Sequence, residues 1–306
     1  MKKPALPPAR PLLLIAAFAA VYLVWGSTYL AIKYAIATMP PLLMAGARFL
    51  LAGSIMAVVG RLAADYEKPT LAHWKTSFVV GGLLLVCGNG GVVLAERHLP
   101  SSLAALLVAT EPFWIVVLGW LWLRGERPSW KVALGLLLGF GGVYLLVGEQ
   151  LRTGAGSAQL GGVGLVIGAA FCWAAGSIYG LRAPTPKSAV LASALQMLAG
   201  GALLVLVGTV LGEWRGFSLA RVSTASWLGF AYLVIGGSLV AFTAYSWLLQ
   251  HAPPARVATY AYVNPVVAVL LGWAVLGEAL TGQMLAGAAV IVASVVLLTT
   301  QQKKEG

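Results

Sequence analysis

Charged side chains are scarce in this sequence, since Asp, Glu, Lys and Arg together make up 9% of its 306 residues. Soluble domains carry about 25% charged residues, so this scarcity excludes an ordinary water-soluble globule. Hydrophobic residues account for 60% of the chain, and the mean hydropathy is +0.89. Because this composition extends over the whole length, it predicts a polytopic membrane protein built from helices of about 20 residues each.

Cysteine and histidine are also rare, with two Cys and three His in the whole chain. Cys87 and Cys172 each lie within an apolar run, and the sequence contains no His/Cys cluster and no H-E-x-x-H motif. The phosphate-binding motif G-x-x-x-x-G-K-[ST] is absent as well. We therefore expect no disulfide framework, no metal site, no cofactor and no nucleotide-driven transport.

The balance of charge is strongly basic, with 20 Lys and Arg, 9 Asp and Glu, and a net charge of +11. In a soluble protein such an excess suggests nucleic acid, but a bilayer protein acquires it through the positive-inside rule. With a cytoplasmic N-terminus, 14 cations fall on the inner side and 5 on the outer side, and Arg48 lies within a span. The sequence thus predicts a lipid bilayer around the chain, no nucleic-acid partner and two cytoplasmic termini.

Ten apolar segments emerge when the chain is divided at its charged and Pro/Gly-rich positions. Their approximate bounds are 12–34, 41–60, 75–95, 101–123, 130–148, 160–181, 189–211, 225–249, 255–276 and 281–300. Each segment is long enough for a transmembrane helix at about 1.5 Å per residue. The connecting loops leave no room for a separate soluble domain. We therefore predict an all-α polytopic membrane protein of ten transmembrane helices.

An internal repeat is the most informative feature of the sequence. The run E-P-x6-G-W that starts at Glu111 matches the run N-P-x6-G-W that starts at Asn264, at an offset of 153 residues. A Gly-Glu doublet follows each run, at 125–126 and at 277–278. The chain is therefore expected to contain two copies of one unit, at 12–148 and at 160–300.

The number of spans in each unit determines how the two copies are oriented. Five is an odd number, so the second copy must enter the membrane from the side opposite to the first. Inverted repeats related by a pseudo-twofold axis in the membrane plane are typical of secondary transporters, because the two halves can exchange conformations. We therefore predict two inverted five-helix repeats and a transport function.

Several runs of residues resemble a known family. EPFWIVVLGWLWLRGE and NPVVAVLLGWAVLGE, together with WGSTY in the first span and AYVNPV in the ninth, are similar to the EamA domain pair of the drug/metabolite transporter superfamily. The resemblance covers nearly all of 12–300. It implies a ten-helix exporter of the bacterial inner membrane, in the branch that includes amino-acid and metabolite exporters.

Two charged residues are expected near the middle of the membrane. Glu111 lies ten residues into the fourth span, at a depth of about 15 Å, and its repeat partner Asn264 lies at the same depth. Arg48 lies about 12 Å into the second span. A carboxylate at this depth indicates a functional residue, although Glu111 could also simply hold the bundle together. Arg48 could pair with Glu111, or its guanidinium could bind a substrate carboxylate.

Proline follows the deep polar residue in each repeat. Pro112 and Pro265 each remove one hydrogen bond within their helix, which predicts a kink at matching places in the two halves. The kinks could act as hinges or open backbone carbonyls toward a central cavity. A fixed bend that only shapes the bundle is the alternative.

Aromatic and small polar side chains within the spans are the other candidates for a substrate cavity, because their rings suit a small, partly apolar solute. Together with Glu111, the predicted substrate-binding residues are Trp25, Ser27, Asn89, Trp173, Ser177, Tyr245, Tyr260 and Asn264. This choice depends on the pairing of the repeats and on the family resemblance. Glycine pairs such as Gly164/Gly168 are expected to pack the helices of one chain, which favours a monomer and leaves a dimer open.

The resulting functional hypothesis is an exporter of small amphipathic metabolites that works by alternating access. Amino acids, including aromatic ones, are the favoured substrates, and the chain is not expected to be an enzyme. A broad exporter of drugs or lipophilic cations, with Glu111 as the counter-charge, is the main alternative. A lipid scramblase or an intramembrane enzyme is less favoured, because no second acid, His or Ser/Lys pair accompanies Glu111 within the spans.

Overall fold

The structure is a computed structural model that describes residues 11–63, 66–123, 130–152, 156–252, 257 and 260–302. Within these ranges the regular elements are helices, and no strand is found. The Gly-Glu doublet at 125–126 lies outside the described residues. So do the basic residues near the two ends of the chain, which are Lys2, Lys3, Arg10, Lys303 and Lys304.

The helices follow one another with short connections. In the first half they are α1 (Pro11–Ala19), α2 (Gly26–Ala35), α3 (Pro41–Leu62), α4 (Leu71–Gly81), α5 (Gly91–Ala95), α6 (Ser101–Val108), α7 (Glu111–Leu123) and α8 (Trp130–Arg152). In the second half they are α9 (Ser157–Gly180), α10 (Ala189–Val210), α11 (Thr224–Tyr232), α12 (Ala241–His251), α13 (Tyr260–Leu276) and α14 (Gly282–Gln302). A short 3-10 helix lies at Leu219–Arg221.

Three π-helical segments interrupt these helices without ending them. They are Ala20–Trp25 between α1 and α2, Gly82–Gly90 between α4 and α5, and Leu233–Val240 between α11 and α12. The backbone stays in the helical region at the residues that flank each segment. Each interrupted element is therefore one continuous, locally widened helix.

Seven helical stretches of the described residues are long and apolar enough to cross a membrane. They are Pro11–Ala35, Pro41–Leu62, Leu71–Ala95, Ser101–Trp122, Ser157–Gly180, Ala189–Val210 and Thr224–Tyr245. Shorter apolar helices occur at Leu137–Leu146, Val263–Leu276 and Gly282–Ser294. Many large apolar side chains point away from the bundle; Val58 is 61% exposed and Leu137 is 68% exposed. These features confirm an all-helical membrane protein.

Local sequence explains where several helices begin. Pro41 occupies the first turn of α3, where its missing N–H has no partner to lose. Thr70 and His73 form a reciprocal capping box at the start of α4. The Ser223 hydroxyl accepts a hydrogen bond from the Ser226 N–H at the start of α11, with a length of 3.1 Å.

The helices pack in pairs that join the two halves of the chain. The most extensive contacts among the described residues are between α3 and α10 and between α8 and α14. Close approach at the first pair requires glycine, since a Cβ added at Gly46 would lie 2.9 Å from the Gly201 carbonyl oxygen. By contrast, a Cβ added at Gly164 or Gly168 would meet no atom within 4 Å, so these two glycines do not pack helices of the described chain as the sequence had suggested.

Candidate functional site

A cavity of about 140 Å³ lies inside the bundle, where helices of both halves meet. Polar and charged side chains and aromatic rings both contribute to its wall. Its lining residues are Trp25, Thr28, Tyr29, Ile32, Arg48, Phe49, Leu85, Gly88, Asn89, Val92, Val108, Glu111, Ala169, Ala170, Trp173, Met197, Gly237, Ser238, Phe242, Tyr260 and Asn264. The cavity is therefore the candidate site for a solute.

All three π-helical segments contribute residues to the cavity. Trp25 ends the first segment, Asn89 lies in the second, and Gly237 and Ser238 lie in the third. The Trp25 indole Nε1 donates a 3.0 Å hydrogen bond to the Gly237 carbonyl oxygen, which joins the first segment to the third. A π-helical turn breaks the regular i→i−4 pattern of hydrogen bonds, and such turns are frequent at functional sites.

Arg48 is buried in the wall of the cavity, and 5% of its surface is exposed. Its Nε donates a 2.8 Å hydrogen bond to the Ser238 hydroxyl, and its guanidinium carbon lies 4.7 Å from the centre of the Phe49 ring. Within the described chain Arg48 forms no ion pair with Glu111, although both residues line the same cavity. The Arg48 guanidinium thus contacts a serine hydroxyl and the face of an aromatic ring, where the sequence had suggested a carboxylate partner.

Glu111 lies at a break in the predicted fourth span. Helix α6 ends at Val108, and α7 begins at Glu111, so Pro112 sits in the first turn of a new helix. The Thr110 hydroxyl donates to the Leu107 carbonyl oxygen at 2.7 Å and closes the end of α6. At the matching position of the second half, α13 continues through Pro265. The two prolines therefore have different effects on their helices.

Two amide groups complete the polar part of the wall. Asn89 and Asn264 both line the cavity, and Asn264 is 8% exposed. The Oδ1 atoms of both side chains are buried and have no hydrogen-bond partner among the described residues. A buried acceptor without a partner costs about 1–3 kcal/mol, so both oxygens are sites at which a donor on a bound solute would be favoured.

An aromatic cluster also contributes to the wall. The Trp25 ring lies 5.3 Å from the Tyr260 ring and 6.2 Å from the Phe242 ring, both in edge-to-face geometry. Tyr245 stands behind this layer, 5.2 Å from the Trp25 ring and 5.8 Å from the Tyr260 ring. Such contacts hold the rings in fixed orientations and leave their remaining faces to a solute.

The predicted substrate-binding residues divide into two groups. The structure brings six of them to the cavity, namely Trp25, Asn89, Glu111, Trp173, Tyr260 and Asn264. The other three do not line it. Ser27 Oγ lies 2.6 Å from the Tyr232 hydroxyl, Ser177 Oγ donates to the Trp173 carbonyl oxygen at 2.8 Å, and Tyr245 stands behind Trp25. The sequence reasoning missed Phe49, Ser238 and Phe242, whose residue types alone gave no signal.

Beyond the cavity, Glu278 caps the start of α6. Gly277 adopts the left-handed conformation at φ = +66° after α13 and turns the chain so that Glu278 faces Ser101 and Ser102. Glu278 Oε1 accepts hydrogen bonds from the Ser101 N–H at 2.7 Å and hydroxyl at 2.8 Å, and Oε2 accepts from the Ser102 N–H at 3.0 Å and from its hydroxyl. Burial opposes the ionisation of Glu278, but these bonds outweigh it and lower the pKa of the carboxyl.

A second carboxylate caps α3 at the same end of the bundle. Gly212 has φ = +77°, and Glu213 Oε2 accepts hydrogen bonds from the N–H groups of Leu42 at 3.0 Å and Leu43 at 2.9 Å. Each cap joins a Gly-Glu turn of the second half to a helix N-terminus of the first half, where negative charge is favourable. We call the end of the bundle that contains Leu42, Ser101, Glu213 and Glu278 the capped end.

No group of three or more His, Cys, Asp or Glu that could hold a metal ion occurs among the described residues. The polar chemistry of the lining residues is that of one guanidinium, one carboxyl, two amides, several hydroxyl groups and several aromatic rings. Such a set binds and orients a solute through charge, hydrogen bonds and ring faces.

Comparison with known proteins agrees with this architecture. The EamA-like transporter family matches residues 12–148 and again residues 160–300 of the chain. A solved crystal structure with 22% sequence identity superposes with a TM-score of 0.65 and covers 97% of this chain and 99% of its own. That similarity shows a shared fold.

Two relatives from Escherichia coli (strain K12) are similar over most of their length. The uncharacterized inner membrane transporter YedA is 37% identical over 288 residues, which are 94% of this chain and 90% of YedA. The probable amino-acid metabolite efflux pump is 30% identical over 279 residues, which are 88% of this chain and 89% of the pump. The chain therefore belongs to the EamA-like transporter family of the drug/metabolite transporter superfamily, and it is a multi-pass inner-membrane transporter rather than an enzyme.

Proposed function

We propose that this transporter exports small amphipathic metabolites, with amino acids, including aromatic ones, as the favoured substrates. The observation that carries the proposal is the composition of the cavity wall. It combines the buried guanidinium of Arg48 with the carboxyl of Glu111, two amide oxygens without partners and a set of aromatic rings. The name of one relative, a probable amino-acid metabolite efflux pump, points in the same direction.

The polar part of the wall suits a zwitterion. Arg48 can offer its remaining N–H groups to the α-carboxylate of an amino acid, because Ser238 occupies only its Nε. The Oδ1 atoms of Asn89 and Asn264 can accept hydrogen bonds from an α-ammonium group, and Glu111 can supply the opposing negative charge. Groups of both signs in one cavity favour a molecule that carries both charges.

The aromatic part of the wall favours a partly apolar side chain. Trp25, Trp173 and Tyr260 line the cavity together with Phe49 and Phe242. A planar side chain can stack on or meet the edges of these rings, which contributes about 0.5–1.5 kcal/mol per pair beyond buried area. Aromatic and large aliphatic amino acids are therefore favoured over strongly polar ones.

The proposed transporter has ten transmembrane helices in two inverted five-helix repeats, at 12–148 and 160–300. In this proposal both termini lie in the cytoplasm. The π-helical segments Gly82–Gly90 and Leu233–Val240, which occupy matching places in the two halves, support this arrangement. The helix contacts support it as well, because α2 packs on α11 as Gly82–Gly90 packs on α9. The two arrangements of such repeats give inward-open and outward-open states of similar energy.

Transport against a gradient requires a source of energy, and a proton moving inward is the proposed driver. Glu111 lines the cavity, so it can carry this proton from one side and release it to the other. The break before Pro112 supports a hinge beside Glu111, and Pro265 is the proposed counterpart in the second half. The transporter is proposed to act as a monomer.

Solute flux in proteoliposomes tests the substrate class. We expect the purified transporter to accumulate labelled phenylalanine under an imposed pH gradient and to leave the cationic dye ethidium at the level of protein-free vesicles. Arg48→Gln should raise the KM for phenylalanine strongly. Arg61→Gln is the matched control, because Arg61 lies on the same helix but is exposed. Transport of ethidium without phenylalanine would instead favour a lipophilic-cation exporter.

A further inference from the structure

A second carboxyl is buried outside the cavity, at the capped end. Glu96 follows α5 directly and is 0% exposed. Neither oxygen of its side chain has a hydrogen-bond partner among the described residues. A carboxylate in such a place would lose its hydration without compensation, which is costly, whereas a protonated carboxyl is neutral.

The two charged side chains that act on Glu96, Lys33 and Glu278, form their hydrogen bonds with other groups. The Lys33 ammonium donates to the backbone carbonyl oxygens of Glu96 at 2.5 Å and Leu99 at 2.8 Å, and in the described chain it forms no ion pair with the Glu96 carboxyl. The nearby Glu278 carboxylate opposes a negative charge on Glu96, but its own oxygens cap α6. Burial raises the pKa of Glu96 well above its ordinary value, Glu278 adds to this shift, and Lys33 opposes it.

Tyr29 connects this region to the cavity. Its side chain lines the cavity together with Glu111 and packs against the buried cluster that contains Ala95 and Leu99. The Tyr29 hydroxyl is not hydrogen-bonded to Glu96 in this structure, so a proton transfer between them needs the two groups to move into contact. A hydroxyl group can accept one proton while it donates another, so Tyr29 is suited to link two carboxyl groups.

We propose that Glu96 is a proton-binding site at the capped end and that Tyr29 links it to Glu111 in the cavity. The buried, unpartnered carboxyl, the engagement of Lys33 and Glu278 with other groups, and the position of Tyr29 carry this assignment. The proposal deepens the proposed function, because it rests on export driven by inward proton movement. It names the group at which that proton first binds.

The proposed proton movement begins at the capped end. Opening of the contact between Glu278 and the start of α6 admits water to Glu96, and its carboxylate binds one proton from the outer side. Closing buries the neutral carboxyl again. Movement of the Tyr29 hydroxyl into hydrogen-bond contact then passes the proton to the Glu111 carboxylate, because the hydroxyl releases one proton as it accepts another. The contact at the capped end reopens, and water hydrates the Glu96 carboxylate before it binds the next proton. One proton leaves Glu96 and one arrives at Glu111, so no other reactant is needed.

The first test needs no substrate and asks whether Glu96 holds a proton. The ordinary carboxyl pKa is 4.5. At pH values above it the unfolded chain has released this proton while the folded chain still holds it. The contribution of Glu96 to the free energy of unfolding must therefore fall as pH rises, and Glu96→Gln must remove this part of the pH dependence.

Thermal unfolding of the purified protein in detergent, from about pH 6 to about pH 9, measures this difference. We expect the Tm of Glu96→Gln minus that of the wild type to increase steadily with pH. Glu67→Gln is the matched control, because Glu67 lies before α4, at the far end of the helical stretch Leu71–Ala95 that precedes Glu96, so its difference from the wild type does not follow the Glu96 titration. An equal pH slope for Glu96→Gln and the wild type would show that Glu96 holds no proton and would overturn the proposal.

The second test asks whether this proton is used in transport. In proteoliposomes, Glu96→Gln is expected to lose pH-gradient-driven accumulation of labelled phenylalanine and to keep phenylalanine exchange at equal pH. Tyr29→Phe should lower the accumulation in the same way. Full accumulation by Glu96→Gln would assign the carboxyl a structural role only. Failure of the wild type to move phenylalanine would contradict the proposed substrate instead, and the unfolding test would still decide whether Glu96 binds a proton.

Discussion

The Nε of Arg48 donates a 2.8 Å hydrogen bond to the Ser238 hydroxyl, and this bond joins α3 to the π-helical segment Leu233–Val240. It holds a buried guanidinium in the wall of the cavity. The two residues are 190 positions apart in the sequence and belong to different halves of the chain. The position of the cationic group thus depends on how the halves pack.

We expect Arg48 and Ser238 to be energetically coupled. Ser238→Ala leaves a buried charged donor without its acceptor, so it should lower the free energy of unfolding by about 1–3 kcal/mol. The same substitution should cost much less in an Arg48→Gln background. In a double-mutant cycle of Arg48 and Glu111, the losses in the free energy of unfolding should be close to additive, since no ion pair joins these residues in the structure. Thermal unfolding of the single and double variants in detergent measures both cycles. Strong coupling to Glu111 alone would restore the pairing suggested by the sequence.

Loss of the Glu278 cap should destabilise the protein. Its lowered pKa means that the stabilisation is present above the ordinary carboxyl pKa and is lost as pH falls through the lowered pKa. Glu278→Gln should therefore cost about 1–2 kcal/mol at neutral pH, comparable with the loss of a strong helix cap. The cost should shrink as the solution is made acidic. Glu67→Gln is the comparison, because among the described residues Glu67 accepts a single 2.7 Å bond, from the Lys187 N–H. A larger loss of stability in Glu67→Gln would contradict this assignment.

Gly272 should not tolerate a side chain. An added Cβ would lie 2.5 Å from Glu278 Oε2, which cannot move without breaking its bonds to Ser102. Gly272→Ala is therefore expected to cost about 1–3 kcal/mol, as overpacking does. Gly141→Ala is the matched control, since Gly141 lies within α8 and an added Cβ there meets nothing within 4 Å. The control should be neutral or slightly stabilising in the same unfolding assay.

The proposed topology can be tested by cysteine labelling in intact cells. In a variant that lacks Cys87 and Cys172, Gly156→Cys should react with a membrane-impermeant maleimide from outside. Lys68→Cys, on the exposed turn between α3 and α4, should react only after the cells are permeabilised. The reverse pattern would contradict the proposed inverted-repeat arrangement with cytoplasmic termini.

Glu111 is expected to be required for proton coupling. Glu111→Gln keeps the size and the neutral form of the side chain but cannot exchange a proton. Accumulation of labelled phenylalanine under a pH gradient should therefore be lost, whereas Glu67→Gln should accumulate as the wild type does. If the Glu111→Gln protein still accumulates phenylalanine to the wild-type level, the Glu111 carboxyl is structural and another group couples transport to proton movement.

The sequence predicted an all-helical membrane protein and part of the cavity wall because both leave local signals. Trp25, Asn89 and Asn264 stood out as polar or amphipathic residues within apolar runs. Ser238 and Phe242 did not, because their residue types are ordinary within a membrane helix and only the packing of the two halves brings them to the cavity. The π-helical segments were also missed, since they depend on hydrogen-bond register rather than on composition.

The capping carboxylates show a second limit of prediction from the sequence. The Gly-Glu doublet at 277–278 was visible as a mark of the repeat, yet its partners, Ser101 and Ser102, lie about 176 residues away. Glu96 was left outside the spans, and nothing in the neighbouring sequence indicates that folding buries it completely. Burial of a charged residue next to a loop is decided by contacts between distant elements.

The π-helical segment Gly82–Gly90 makes the length of the chain, rather than any side chain, a determinant of the cavity. A π-helical turn contains about one residue more than an α-helical turn. Because the wider turn absorbs this residue, deleting one residue from the segment would let it relax to an α-helix while the helical faces on either side stay close to their present alignment. A second deletion would have no extra residue to remove, so everything on one side of it would rotate by about 100° relative to the other side. Val92 would then turn away from the cavity, although no residue of α5 had been changed.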